Sequence, residues 1–235
     1  PDIVVTNLAN QRYALYQNNR DGSFSYASNT AGIGQMTMAH SGWGVRFFDY
    51  DNDGWKDLLI AQGHDLDTIE LNYPNLHYRE PMLLARNTGR GFVDVSAQSG
   101  NLFRQAWVSR GLAIGDLDND GRVDAVVTVL NGQVEYFHNV TNNRNHWILL
   151  NLLGTRSNRM AIGAQIRITT EDNTSQYNHV TTACGYASAS DSRVHFGLGT
   201  SKIIREIDIK WPSRIQQVLR DVPADQVLTI KEPLR

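Results

Sequence analysis

The pattern D-x-D-N-D-G-x-x-D occurs twice, as DYDNDGWKD over residues 49–57 and DLDNDGRVD over residues 116–124, at a constant offset of 67 positions. Each copy places four carboxylates within nine positions and runs directly into an apolar stretch, DLLIA or DAVVTVL. Two carboxylates about 4 Å apart repel by roughly 4 kcal/mol at an effective dielectric near 20, so such a turn requires a cation or solvent to screen it. The runs that follow are short and β-branched or leucine-rich and end at polar or glycine-containing turns, which predicts strands. A chain that repeats this turn is therefore expected to be a β-repeat protein.

The ligand set predicted for each turn consists only of oxygens. Asp49, Asp51, Asp53 and Asp57 stand at positions 1, 3, 5 and 9 of the first loop, and Asp116, Asp118, Asp120 and Asp124 at those of the second. A backbone carbonyl near position 7, from Trp55 or Arg122, completes each set. Hard oxygen donors without His or Cys favour calcium or magnesium, and six or so oxygens from one flexible loop suit Ca2+, because magnesium usually keeps several waters. Gly54 and Gly121 fall at position 6, where the loop must bend sharply. An EF-hand is excluded, since position 12 is Ile60 or Val127 inside the apolar run rather than a glutamate. Asp, Asn and Gly are also ordinary turn formers, yet a solvated turn does not require three alternating carboxylates plus a fourth, twice over.

A third copy of the strand opens the chain. PDIVVTN aligns with KDLLIAQ and VDAVVTV and puts Asp2 at loop position 9, as if the chain began at the tail of a further acidic loop. LYQNNRDGSFSYAS (15–28) and LLARNTGRGFVDVS (83–96) form a second repeated element, and YFHNVTNN begins a third copy before the pattern departs at His146. Helical periodicity is nearly absent; VSAQSGNL reads as a short polar connector. Short strands in units that need neighbours to bury their faces predict blades of a β-propeller over residues 1–145. Propellers close with about four to eight blades, so this ring is expected to be incomplete and completed by a longer chain. After His146 come seven strand segments, several alternating in period two: HWILLNLLG, GAQIRITT, SQYNHVTTA, VHFGLG, IREIDIKWP, IQQVLRDV and QVLTIKE. They predict a C-terminal antiparallel β-sandwich or barrel over 146–235. The expected fold class is all-β throughout.

No run approaches the ~18 apolar residues of a membrane span, so insertion is not expected. A lone Cys184 excludes an internal disulfide and a cysteine zinc site. Eight of the 24 acidic residues sit in the two loops, against 22 scattered basic residues. Without a basic patch or stripe, nucleic acid is not an expected partner. Asp191, Arg193 and His195 alternate along one strand beside Ser190 and Ser192. Strand-face packing accounts for them more simply than a nucleophile and base, because a triad is defined by geometry. His64 with Asp65 and Asp67, and Tyr73, His77 and Tyr78 nearby, mark a segment that either binds a ligand or covers a sheet edge.

The two acidic loops, followed by GAQIRI, SDSRVHFGLG, IDIKWPS and VPADQVLTI, resemble the ASPIC/UnbV family with FG-GAP/VCBS-type repeats, to which the cartilage acidic protein also belongs. Gly63-His64 with REPMLLARN (79–87) is similar to the insertion these proteins carry after an acidic loop. The resemblance implies a calcium-binding propeller with a C-terminal ASPIC/UnbV β-domain, usually exported, with no enzymatic activity assignable from the motifs. The expected function is thus a non-catalytic calcium-binding structural or adhesion module outside the cell, on its surface or in the periplasm, meeting an unidentified protein or glycan partner. The alternative is an accessory or catalytic part of an extracellular carbohydrate-active enzyme, with its site near His64 or the Asp191–His195 face.

Overall fold

The computed structural model describes residues 2–234. Each repeat folds as its own antiparallel sheet. The first contains β1 (Ile3–Val5), β2 (Ala14–Asn18) and β3 (Phe24–Tyr26). In the second, β4 (Gly42–Phe48) pairs with β5 (Asp57–Gln62) and, beyond a short β6 (Glu80–Pro81), the order continues through β7 (Leu83–Asn87) to β8 (Phe92–Asp94). After β9 (Ala106–Trp107), which pairs with β6, the third sheet is β10 (Ser109–Gly115), β11 (Asp124–Val129) and β12 (Glu135–Phe137). The segment read as a polar connector forms two short 3-10 turns, Ser96–Gln98 and Leu102–Arg104.

The apolar run of β5 explains why the repeats stack. Every residue of this strand is buried. Because side chains alternate across a strand, Leu58 and Ile60 enter one core, with Tyr13, Leu15 and Ile33 of the first repeat. Leu59 and Ala61 enter another, with Leu112, Val123 and Val127 of the third. A strand apolar on both faces cannot exist at a surface; neighbouring sheets cover it on each side.

The repeats are also locked in the same way at their loop ends. The position-9 carboxylates accept the backbone N–H of an asparagine at or just beyond the end of a neighbouring strand: Asp2 from Asn18, Asp57 from Asn87 and Asp124 from Asn139, each at 2.8 Å. Asp2 thus does in the first repeat what its counterparts do in the others. Ser28 and Ser96, at the ends of the two 14-residue elements, accept Leu15 N–H at 2.8 Å and Leu84 N–H at 2.9 Å.

All seven C-terminal segments are strands: β13 (His146–Leu153), β14 (Gln165–Thr170), β15 (Ser175–His179), β16 (Val194–Gly199), β17 (Ile203–Lys210), β18 (Gln216–Pro223) and β19 (Gln226–Lys231). They make two sheets, β16-β13-β19 and β15-β14-β17-β18, around one core that includes Ile148, Ile168, Phe196, Ile207 and Trp211. No barrel closes among the described residues.

Two details depart from the sequence expectation. The β13–β19 pair is parallel, in a domain expected to be antiparallel throughout. Asp225, at φ 58°, turns the chain from the end of β18 into the other sheet, and its N–H donates to Trp147 O at 2.7 Å. In β17, strict alternation would place Ile204 opposite Ile207, yet both are fully buried. Arg205 is skipped in the pairing on both sides, and this bulge resets the phase of the strand.

Candidate metal centre

The two acidic loops, loop 1 (49–57) and loop 2 (116–124), lie between paired strands, β4/β5 and β10/β11, which fix their ends. Their conformations match. Asn52 and Asn119 adopt φ 58° and 60°, and Gly54 and Gly121 φ 91° and 86°. Asparagine and glycine are the residues that tolerate the left-handed region, which explains the recurring N-D-G that ligand chemistry alone left open.

Each loop curls around its first aspartate. Asp49, fully buried, accepts Asp53 N–H at 3.2 Å and Gly54 N–H at 2.9 Å. Asp116 accepts Asp120 N–H at 3.1 Å and Gly121 N–H at 3.0 Å. Asp53 and Asp120 accept the N–H of Trp55 and Arg122, both at 2.9 Å. Asp57 also holds Tyr50 N–H at 3.1 Å, and Asp124 holds Leu117 N–H at 3.2 Å and the Tyr136 hydroxyl at 3.0 Å.

Carboxylate oxygens of Asp49, Asp51 and Asp57 converge within 4.8 Å of one another in loop 1, and those of Asp116, Asp118 and Asp120 do so in loop 2. Asp53 and Asp124 stand outside these groups. Asp53 accepts Arg86 Nη2 at 3.1 Å, and Asp124 is engaged by Asn139, Tyr136 and His138. The Trp55 side chain is about half exposed and lies against Gly89, while Arg122 pairs with Asp120 and donates from Nε to Asn139 O at 2.9 Å.

The electrostatics of loop 1 call for a cation. Burial pushes the Asp49 carboxyl up to about 6 and that of Asp57 to about 8, and burial together with neighbouring Asp53 raises Asp51. Burial raises Asp116 of loop 2 as well. Asp51 is only 8% exposed, and its Oδ1 is buried without a hydrogen-bond partner. An orphaned carboxylate oxygen costs on the order of 1–3 kcal/mol or more. The Asp51 carboxylate converges with two further buried carboxylates, a donor set that fits a hard divalent cation.

The backbone of the same loops is occupied by the C-terminal half of the chain. Arg193 Nη2 donates to Asp116 O at 2.7 Å and Nη1 to Asn119 Oδ1 at 2.6 Å, with its guanidinium held by Asp191 at 2.6 Å. His195 Nε2 meets Gly121 O at 3.1 Å, so that nitrogen carries the proton. Burial and the charge of Lys56 pull His195 down to about 3, which keeps it neutral. Gly199 N–H donates to Asn52 O at 2.8 Å, and Asn145 Nδ2 to Asp51 O at 2.8 Å. Upstream, Cys184 and Ser188 grip Leu112 of β10, and Ser190 Oγ accepts Ile114 N–H at 3.1 Å.

These contacts give the Asp191–His195 face a role in joining the two halves, and they leave no nucleophile and base assembled. Neither Ser190 nor Ser192 hydrogen-bonds to His195. His64 is buried and spent locally: Nδ1 accepts Leu66 N–H at 3.0 Å, and its carbonyl takes Arg110 Nη2 at 2.9 Å.

Residues 1–60 match the FG-GAP-like repeat model, and residues 154–234 match the ASPIC and UnbV model. The chain is an ASPIC/UnbV family protein with FG-GAP repeats. No curated protein matched it. Within this ASPIC/UnbV chain, loop 1 lies inside the FG-GAP match and loop 2 beyond it, although internal similarity makes the two equivalent. The strand that reaches both loops, β16, lies inside the ASPIC and UnbV match. Among the described residues, no helix is long and apolar enough to cross a membrane. Sequence reasoning missed Arg86 and His138 and gave Arg193 no contact with the loops; their pairing is set by sheet stacking and carries no local spacing signal.

Proposed function

We propose that this ASPIC/UnbV protein is a non-catalytic calcium-binding structural or interaction module that works outside the cell, with Ca2+ bracing FG-GAP blades of a β-propeller. The observation that carries the reading is the convergence of the Asp51 carboxylate, one of whose oxygens is buried without a partner, with the buried carboxylates of Asp49 and Asp57. In each loop the ion would be held by the aspartates at positions 1, 3, 5 and 9 with the Trp55 or Arg122 carbonyl. When bound, it supplies positive charge to carboxylates that burial otherwise drives toward protonation. Because β16 sits on the backbone of both loops, setting the loops also sets the seam between two units, 1–145 and 146–235. The propeller reading is supported by the stacked antiparallel repeats. A protein or glycan partner would meet the surface of this assembly.

The test is a melting curve in calcium, magnesium and chelator, with Asp51→Ala and Asp118→Ala alongside. For a dissociation constant near ~10 µM, millimolar calcium should add roughly 2.7 kcal/mol per occupied loop. Each variant should lose its own loop's share. Identical curves in all three conditions would overturn the reading.

A further inference from the structure

The three repeats place different residues at one structurally equivalent point. The asparagine that donates its N–H to the position-9 aspartate is preceded by Gln17 in the first repeat, Arg86 in the second and His138 in the third. One is neutral, one permanently charged and one titratable. In loop 2, His138 Nδ1 lies 3.2 Å from Asp124 and 3.9 Å from Asp118. In loop 1, Arg86 Nη2 alone reaches both Asp51 Oδ2, at 3.0 Å, and Asp53 Oδ2, at 3.1 Å.

The Arg86 contact is poorly matched on both sides. An arginine built to pair with a carboxylate presents two parallel N–H groups to it. Here one nitrogen is shared between two carboxylates, Arg86 Nε is buried without a partner, and so is Asp51 Oδ1. Asp51 is the residue through which the arginine pair and the converging group of Asp49 and Asp57 overlap. Lys56, buried near Asp49 and Asp57, adds a second basic side chain to loop 1, although burial lowers its hold on a proton; in loop 2 Arg122 is paired with Asp120.

We infer that Arg86 is a resident competing cation that lowers the divalent-ion affinity of loop 1. The inference rests on the reading of the loops as calcium sites. A guanidinium cannot shed its charge, so a divalent ion entering loop 1 must either share Asp51 with it or displace it.

The intact chain is titrated with calcium by calorimetry in two backgrounds: Asp118→Ala, which leaves loop 1, and Asp51→Ala, which leaves loop 2. Terbium luminescence sensitised by Trp55 for loop 1, and by Trp147, which packs on Gly121, for loop 2, gives a second readout. Arg86→Gln, the residue type of the first repeat, should tighten loop 1 by about tenfold or more and leave loop 2 unchanged. Arg86→Lys keeps the charge and should stay within about threefold of the parent. If Arg86→Gln leaves loop 1 unchanged or weakens it, Arg86 is a surface pair or a positioning residue and the inference is overturned. Equal tightening by Gln and Lys overturns it too, because charge would not be the cause. If no calcium binds in either background, with or without Arg86→Gln, the calcium reading itself fails and takes the inference with it.

Discussion

Replacing Glu232 with glutamine should destabilise the C-terminal sandwich in a manner that depends on pH. The side chain is 2% exposed. Its Oε2 accepts the backbone N–H groups of Thr155, Arg156 and Ser157, each at 2.8 Å. Its Oε1 accepts the Ser157 hydroxyl at 2.9 Å and the Ser213 hydroxyl. Burial alone would raise the carboxyl, but these hydrogen bonds, from Ser157, Ser213, Arg156 and Thr155, overrule it and hold the group at about 2. A carboxyl lowered from 4.5 to about 2 on folding contributes on the order of 3 kcal/mol at neutral pH. Because the folded value lies below the unfolded one, that contribution is complete above about pH 4.5 and is lost as pH falls toward 2. Glu232→Gln turns an amide toward donors that need an acceptor, at a cost of about 2–4 kcal/mol at pH 7. Urea unfolding of both proteins at pH 7, 4 and 2.5 measures the gap. It should be widest at pH 7 and shrink by most of its size at pH 2.5. A gap that is the same at all three values would refute the reasoning, since a neutral glutamic acid would then serve as well as the carboxylate.

Other expectations follow from geometry. A Cβ at Gly121 would fall inside the Trp147 indole at φ 86°, whereas at Gly22, with φ 90°, it meets nothing. Gly121→Ala should therefore cost about 3 kcal/mol or more in a urea melt and Gly22→Ala only about 1. Ile207→Ala, in the centre of the sandwich core, should cost about 2–5 kcal/mol in the same assay. The sandwich core is drawn wholly from residues 148–230, so residues 146–235 expressed alone should melt cooperatively, with the same midpoint in calcium and in chelator.

What was legible in the sequence was whatever local spacing determines. The C-terminal strands are legible because alternation such as Ile207, Ile209, Trp211 follows from the two-residue period of a pleated strand. The acidic loops are legible because their carboxylates are contiguous and recur at a fixed offset. What was hidden depends on separation in sequence. Arg86 reaches Asp51 from 35 positions away, and Arg193 reaches Asp116 from 77, with nothing in either segment to announce the other. Glu232 is a single acid in IKEP, and only the turn of three amides at 155–157 reveals its purpose. The parallel β13–β19 pair was equally invisible, because a strand's own residues do not state the direction of its neighbour. Asn119 offers no carboxylate; its left-handed backbone and the bond its side chain accepts from Arg193 are visible only in the structure.

The parallel pairing of β13 and β19 bears on how this chain would carry mechanical load. Strand β13 is entered from the repeats at His146, and β19 leaves the sandwich at Lys231, with partners from Ile148↔Gln226 to Leu153↔Lys231. Tension applied between the repeats and the far end of β19 pulls the two strands past each other along their length. Every hydrogen bond of the ladder then bears the force at once, whereas in an antiparallel pair joined by a hairpin they would open one after another. Rupture would require a concerted slip of the whole ladder, so the sandwich should behave under tension as a stiff link rather than a spring.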